Sequence, residues 1–198
     1  MFSTRKCIKK DCVEHAVTGS KYCFNHIKNP DEFMASTVAM LSDCDGITNF
    51  KFCKANISKL KIPCRSILTS KFTGTIFTDV IFDKVEIKLC FFDFCEFHNC
   101  RFTSADVRYS VFSGSVFRNC SFDDSEVLHT NFNGVKFTDG GFISCDLYYS
   151  SFVSSELQNV LFKDCNLKKV NYITSNRSNV SFKYSNWEEA EFDKGTML

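Results

Sequence analysis

The sequence predicts an all-β solenoid made of four-sided coils of about twenty residues each. Three observations predict it. A large apolar residue recurs at nearly every fifth position from Phe52 to Phe192. A small residue stands two places before these centres, as at Ser70, Thr75, Cys95, Cys100, Ala105, Ser110, Ser115, Cys120 and Ser125. Phe is also absent from every fourth centre, so the pattern closes at twenty residues rather than five. Helices and flat strands have periods of 3.6 and 2, so neither explains this beat. One large and one small inward position per five residues suits a tube whose coils stack on one another.

The centres fall into four columns. One runs Phe82, Phe102, Phe122, Phe142, Phe162, Phe182, and a second Phe72, Phe92, Phe112, Phe132, Phe152, Tyr172, Phe192. A third runs Phe77, Phe97, Phe117, Phe137 and then Leu157. The fourth is aliphatic, Ile67, Ile87, Val107, Val127, Leu147, Leu167, and ends on Trp187. Residues twenty apart are expected one above another at ~4.8 Å. Offset ring pairs along a column each add ~0.5–1.5 kcal/mol beyond burial.

The stretches "CDLYY" (145–149), "CNLKK" (165–169), "SADVR" (104–108) and "NFNG" (131–134) carry a motif that resembles the pentapeptide-repeat family. The resemblance spans about residues 50 to 193. It implies a right-handed quadrilateral β-helix of about seven coils, roughly 34 Å long at the inter-strand spacing. Two places depart from the pattern. Pro63 and Arg65, the latter in a small-residue slot, make the first coil irregular. Arg177 occupies a centre, where an unpaired charge is costly, so that corner is expected to bulge or Arg177 to point outward.

Composition bounds the rest. The chain has 198 residues, 23 Phe and formal net charge +1, so it is neither disordered nor a bulk polyanion or polycation. No stretch resembles a signal peptide, and none approaches the ~18 apolar residues of a membrane span. A cytoplasmic location is expected, where the 12 Cys stay reduced. Cys90, Cys95, Cys100, Cys120, Cys145 and Cys165 all take the small inward slot, as small hydrophobes. Stacked pairs such as Cys100 and Cys120 come within disulfide range, but the compartment and the parallel side chains argue against bonding.

Residues 1–28 break the beat and read as a separate Cys/His module. Cys7, Cys12, Cys23 and His26 give C-x4-C-x10-C-x2-H. Four N/S ligands in two close pairs suit a structural tetrahedral zinc. "TGSK" (18–21) reads as the turn between the pairs, and His15 is an alternative ligand. The plain alternative is reduced thiols beside a surface His. Six Lys or Arg against Asp11 and Glu14 leave open a nucleic-acid contact through this module. Residues 29–46 read as a capping helix over the first coil. Asn29 is its N-cap, Pro30 its first residue, Met34, Val38 and Leu41 its apolar face, and Gly46 its stop. The β-helix itself is placed at 47–198.

The aliphatic side carries the differentiated surface. Glu86, Asp106, Glu126, Asp146 and Asn166 precede its centres. Lys88, Arg108, Leu128, Tyr148 and Lys168 follow them, and then Leu89, Tyr109, His129, Tyr149 and Lys169. An acidic ladder therefore flanks a basic and aromatic strip, and exposed Tyr and Arg suit interface hot spots. The plain alternative is that acids and amides before a centre are only structural. Off the beat, Phe94 is expected to be exposed or covered by the N-terminal segment. The last coil has no cap, so Trp187 and Phe192 are expected to pair with a second copy, as in the gyrase-protecting members of the family.

No catalytic constellation is present. His98 and His129 have no nucleophile in register, and no glycine-rich loop cradles a phosphate. The expected function is a non-enzymatic scaffold that presents the 86–169 face to a protein partner. The resemblance also offers a DNA mimic that binds and protects gyrase. That mechanism needs a strongly negative rod, whereas residues 50–198 hold 18 basic and 17 acidic side chains.

Overall fold

The computed structural model describes residues 5–194. It is a parallel β-solenoid of about seven turns, with one α-helix, Pro30–Ser42, near its start. Every rung pairs with the one twenty residues on. The aliphatic side stacks Ile47, Ile67, Ile87, Val107 and Val127 in one parallel sheet. Single bridges carry it on through Asp146 and Asn166. The opposite side stacks Ile57, Phe77, Phe97, Phe117, Phe137, Leu157 and Arg177 in a seven-stranded sheet. The other two sides are held mainly by isolated bridges, such as Lys71 to Phe91 to Val111 to Asn131.

The four columns fill the axis. Rings along a column are nearly parallel: Phe82 and Phe102 lie 4.5 Å apart at 1°, and Phe92 and Phe112 4.9 Å apart at 5°. Rings within one coil meet edge-on, as Phe102 meets Phe112 at 88°. These are the offset-stacked and T-shaped arrangements that a ring quadrupole favours. Strands are often three residues long, because the residue two after each centre turns the corner in the left-handed region. Leu89, Phe94, Asn99, Ser104 and Tyr109 have φ between 52° and 56°.

The small inward slot also binds the coils together. Ser115 Oγ donates to the carbonyl of Phe92 at 2.6 Å and accepts from the amide of Cys95 at 2.8 Å. Cys95 Sγ donates in the same way to the Phe72 carbonyl at 3.1 Å. Ser, Thr and Cys thus satisfy backbone groups that the tight corner leaves without ladder partners.

The N-terminal end is closed. The helix buries Thr37 and Leu41 and lays Phe33 over Phe52 with ring centres 5.9 Å apart. Asn29 stands at its N-cap, its carbonyl accepting from the Phe33 amide at 3.0 Å, but it makes no side-chain cap bond; its side-chain amide donates to Glu32 instead. Gly46 is not its stop either. The helix ends at Ser42, and Gly46 opens the first strand, where a Cβ would collide with Ser66 of the next rung. The Cys/His segment packs on this same end. Val17 joins the core, Phe24 tilts against Phe52 at 5.6 Å, and Glu14 pairs with Lys54 at 2.5 Å.

Two expectations about the departures fail. Cys64, not Arg65, fills the small slot of the first coil. It is buried while Arg65 is exposed, and the amides of Arg65 and Ser66 both donate to the Asp45 carbonyl. Pro63 replaces the usual corner here, so the chain slips by one residue and keeps the charge outside. Arg177 neither bulges nor points outward. Its strand stays in register with Leu157, and its guanidinium carbon lies 4.7 Å from the centre of the Phe192 ring.

Candidate metal centre and interaction face

The metal-ligand candidates converge. A short hairpin, with the Cys7 amide donating to Glu14 and that of Cys12 to Lys9, presents the first pair. The 3-10 turn Phe24–His26 begins just after Cys23, so Cys23 and His26, three apart, face the same way. The ligand atoms of Cys7, Cys12, Cys23 and His26 all lie within 4.8 Å of one another. Cys12 Sγ is 3.8 Å from Cys23 Sγ, and His26 Nδ1 is 3.5 Å from Cys7 Sγ and 3.2 Å from Cys23 Sγ. These residues could hold a metal ion. His15 lies outside the cluster, exposed and bridged to Lys6. "TGSK" does turn between the pairs, with Gly19 at φ 82°.

The Cys7 and Cys23 thiols shift in opposite directions. Burial raises Cys7, but the amides of Cys23 and Lys9 and the side chains of His26 and Cys12 outweigh it and leave it at about 6. Burial, then the neighbouring Cys12 and Cys7, push Cys23 up to about 11. Such a site readily carries one thiolate and resists a second until a cation arrives. In the rod, burial pushes Cys90 up to about 12 and also raises Cys95, which makes these two inert hydrophobes. Cys100 and Cys165 are instead lowered, by the side chains of Cys120 and Cys145 a coil away.

The differentiated side is a continuous strip. Tyr109, His129 and Tyr149 stack one above another, with centroids 5.1 and 5.3 Å apart, and Tyr148 meets both His129 and Tyr149 edge-on. Tyr109 is 56% and Tyr149 53% exposed, and Leu89 extends the strip at 53%. These residues hold the left-handed corner at φ 50–59°, where bulky side chains cost more than Gly or Asn. The opposite corner uses amides instead: Asn99 donates to Asp79 and Asn119 to Asn99, both at 3.0 Å.

The acidic ladder is neutralised from within. Lys88 pairs with both Glu86 and Asp106, and Arg108 with both Asp106 and Glu126. Asp146 accepts from Asn166 at 2.9 Å. The plain reading of the sequence, acids placed structurally and helped by Lys and Arg across coils, describes these pairs. The signal was present, since each base follows an acid by two residues in the same column.

Other expected positions are also located. Phe94 is 68% exposed, and its ring lies over Gly114 rather than under the N-terminal segment. Phe192 is half-buried and stacked on Tyr172 at 5.1 Å, while Trp187 begins a 3-10 turn and is 38% exposed. Among the described residues, no helix is long and apolar enough to cross a membrane.

Residues 117–192 match the family model of the pentapeptide repeat region. No curated protein matches the chain. Solved structures similar to it include HetL, a pentapeptide repeat protein involved in heterocyst differentiation regulation from the cyanobacterium Nostoc sp. strain PCC 7120. It is 15% identical, with 77% of this chain and 74% of that chain covered and a TM-score of 0.40. QnrB1, a plasmid-mediated fluoroquinolone resistance protein, is 16% identical over 75% of this chain and 83% of that one, with a TM-score of 0.38. Rfr23 from the cyanobacterium Cyanothece 51142 is 12% identical over 75% and 90%, with a TM-score of 0.30.

Proposed function

We propose that this chain, a pentapeptide-repeat protein by residues 117–192, is a non-enzymatic scaffold that presents its aliphatic side to a protein partner. The observation that carries this reading is the Tyr109–His129–Tyr149 stack. Aromatics held rigidly at exposed corners lose little entropy on binding and supply most of an interface's energy. The paired charges beside them, from Glu86 to Glu126, form a polar rim that sets register rather than strength. The same pairing removes the negative field that DNA mimicry of a gyrase ligand requires.

Zinc is the ion we assign to the Cys/His cluster. With Zn–S near 2.3 Å and Zn–N near 2.0 Å, a tetrahedral site has S···S edges of about 3.8 Å and S···N edges of about 3.5 Å. The 3.8 and 3.5 Å separations of Cys12 from Cys23 and of Cys7 from His26 fit those edges. Four protein ligands leave no open position, so the ion is structural and fixes the segment that closes the rod. The 38% exposed Trp187, near the half-buried Phe192, supports pairing of two copies end to end; a monomeric mass by light scattering at micromolar concentration contradicts that pairing.

A photo-crosslinking residue tests the face. Placed at Tyr149, it is expected to yield one discrete adduct in native extract. Placed at Asn159, on the opposite corner, it yields none. Adducts from Asn159 alone would contradict the assignment.

A further inference from the structure

We propose that Cys44 and Cys64 form a redox site, in which a peroxide joins the two thiols in a disulfide that fastens the capping helix to the first coil. The inference is independent of the lateral face and of the metal cluster, and it uses thiols that neither reading employs.

The register places the pair. Cys44 and Cys64 each stand three residues before a centre, and those centres, Ile47 and Ile67, face each other in the first parallel ladder. The pairing reaches back toward them, since the amides of Arg65 and Ser66 both donate to the Asp45 carbonyl, at 2.8 and 3.3 Å. Neighbouring rungs lie ~4.8 Å apart, within the roughly 4.4–6.8 Å that a disulfide spans between Cα atoms. Both residues are free thiols. Burial, and then the nearby Cys44 sulfur, raise the pKa of Cys64, so each side chain lies in the other's field.

Two features set this pair apart from the stacked thiols of the rod. Cys100 and Cys120 are closed inside regular coils at 2% and 1% exposure, out of reach of an oxidant. Cys44 follows the helix end, is half-buried, and its thiol donates to the Leu41 carbonyl at 3.4 Å. Cys64 also has room to turn. It lines an apolar cavity of about 30 Å³ beneath Met34, Val38 and Leu41 of the helix, so its sulfur can change rotamer without displacing a neighbour.

The chemistry runs in two steps. The Cys44 thiolate attacks one peroxide oxygen, the O–O bond breaks, and Cys44 becomes a sulfenic acid as water leaves. The Cys64 thiolate then attacks the Cys44 sulfur, the S–O bond breaks, and the departing hydroxide takes a proton to form a second water. Two thiols are oxidised and one peroxide is reduced. Burial keeps Cys64 from reacting with the peroxide itself, which fixes the order. The bond ties the residue just past the helix to the first coil, so the cap can no longer lift, and an external thiol reverses it.

The experiment treats the full chain with hydrogen peroxide under native conditions, alkylates the remaining thiols and digests with trypsin. The sequence separates the thiols at this end of the rod: Cys44 falls in residues 29–51, Cys53 in 52–54 and Cys64 in 62–65. A linked 29–51/62–65 peptide is expected, lighter than its parts by two hydrogens and split by dithiothreitol. Amide exchange in residues 30–42 is expected to slow by about tenfold once the bond forms. Neither effect is expected in Cys44→Ser or Cys64→Ser. Both variants should fold, since Cys44 is half-buried and the regular coils carry Ser in the inward slot, as at Ser110 and Ser115. No linked peptide, preferential linkage of Cys44 to Cys53, linkage only after denaturation, or unchanged exchange in the oxidised wild type would each overturn the proposal.

Discussion

The hydroxyl of Ser115 accepts the amide of Cys95, twenty residues earlier, at 2.8 Å. The same hydroxyl donates to Phe92 at 2.6 Å, so one buried atom joins two coils at a corner. Cys90 to Ser110, Ala105 to Ser125 and Thr130 to Ser150 repeat the arrangement. The small slot is therefore a hydrogen-bonding position as well as a packing one.

Ser115→Ala leaves the Cys95 amide buried and unpaired. It is expected to lower stability by about 1–3 kcal/mol, and Ser115→Cys by less, because Sγ can still accept and donate. Urea unfolding of the two variants beside the wild type measures both. Equal stability of Ser115→Ala and the wild type would count against the role assigned to the slot.

Gly140 and Gly141 have φ of 135° and 146°, and a Cβ on either would strike backbone of the neighbouring rungs, at Cys120 and Leu161. Gly140→Ala is expected to cost at least about 2 kcal/mol, from the backbone conformation and the collision together. A thermal midpoint within a degree of the wild type would contradict this.

Asp83 accepts from Arg101 through both oxygens and from the Thr103 amide at 3.1 Å. Burial raises its pKa, but these partners outweigh it and hold the carboxyl below its ordinary value. The resulting stabilisation is full above the unfolded value of about 4 and is lost as pH falls through the lower folded value. Asp83→Asn should therefore be less stable than the wild type at neutral pH, with the gap closing in acid. A gap that persists unchanged at pH 2 would refute the pairing.

Metal removal should act locally. The purified chain is expected to carry one zinc, which Cys12→Ser loses. Chelation should expose residues 5–28 to protease while the β-signal of the rod persists, because the coils pair with one another and not through the ion. Native mass spectrometry with limited proteolysis reads both. Zinc-free protein with an equally resistant N-terminal segment would contradict the assignment.

The middle of the rod was legible because in-register stacking repeats one chemistry every twenty residues, so Phe102, Phe122 and Phe142 announce one column. The four ligands of the Cys/His cluster were legible from spacing alone. Legibility failed where the beat breaks. Near Pro63 the chain slips so that Cys64 replaces Arg65, and Arg177 keeps its column by packing its guanidinium on the Phe192 ring. Gly46 misled because a glycine after a helix reads as a stop, whereas its need arises from Ser66, a rung away. The left-handed corners were not foreseen, since five consecutive residue types do not reveal which one turns.

The central claim is that the Tyr109–His129–Tyr149 side holds a protein partner. Its most direct test is quantitative affinity capture from native extract with three baits at equal loading. These are the wild type, Tyr109→Ala with Tyr149→Ala, and a control at the amide corner, Asn99→Ala with Asn119→Ala. The account predicts a protein retained by the wild type and by the amide-corner control and lost, by about tenfold or more, from the folded tyrosine variant. Equal capture by all three baits would contradict it.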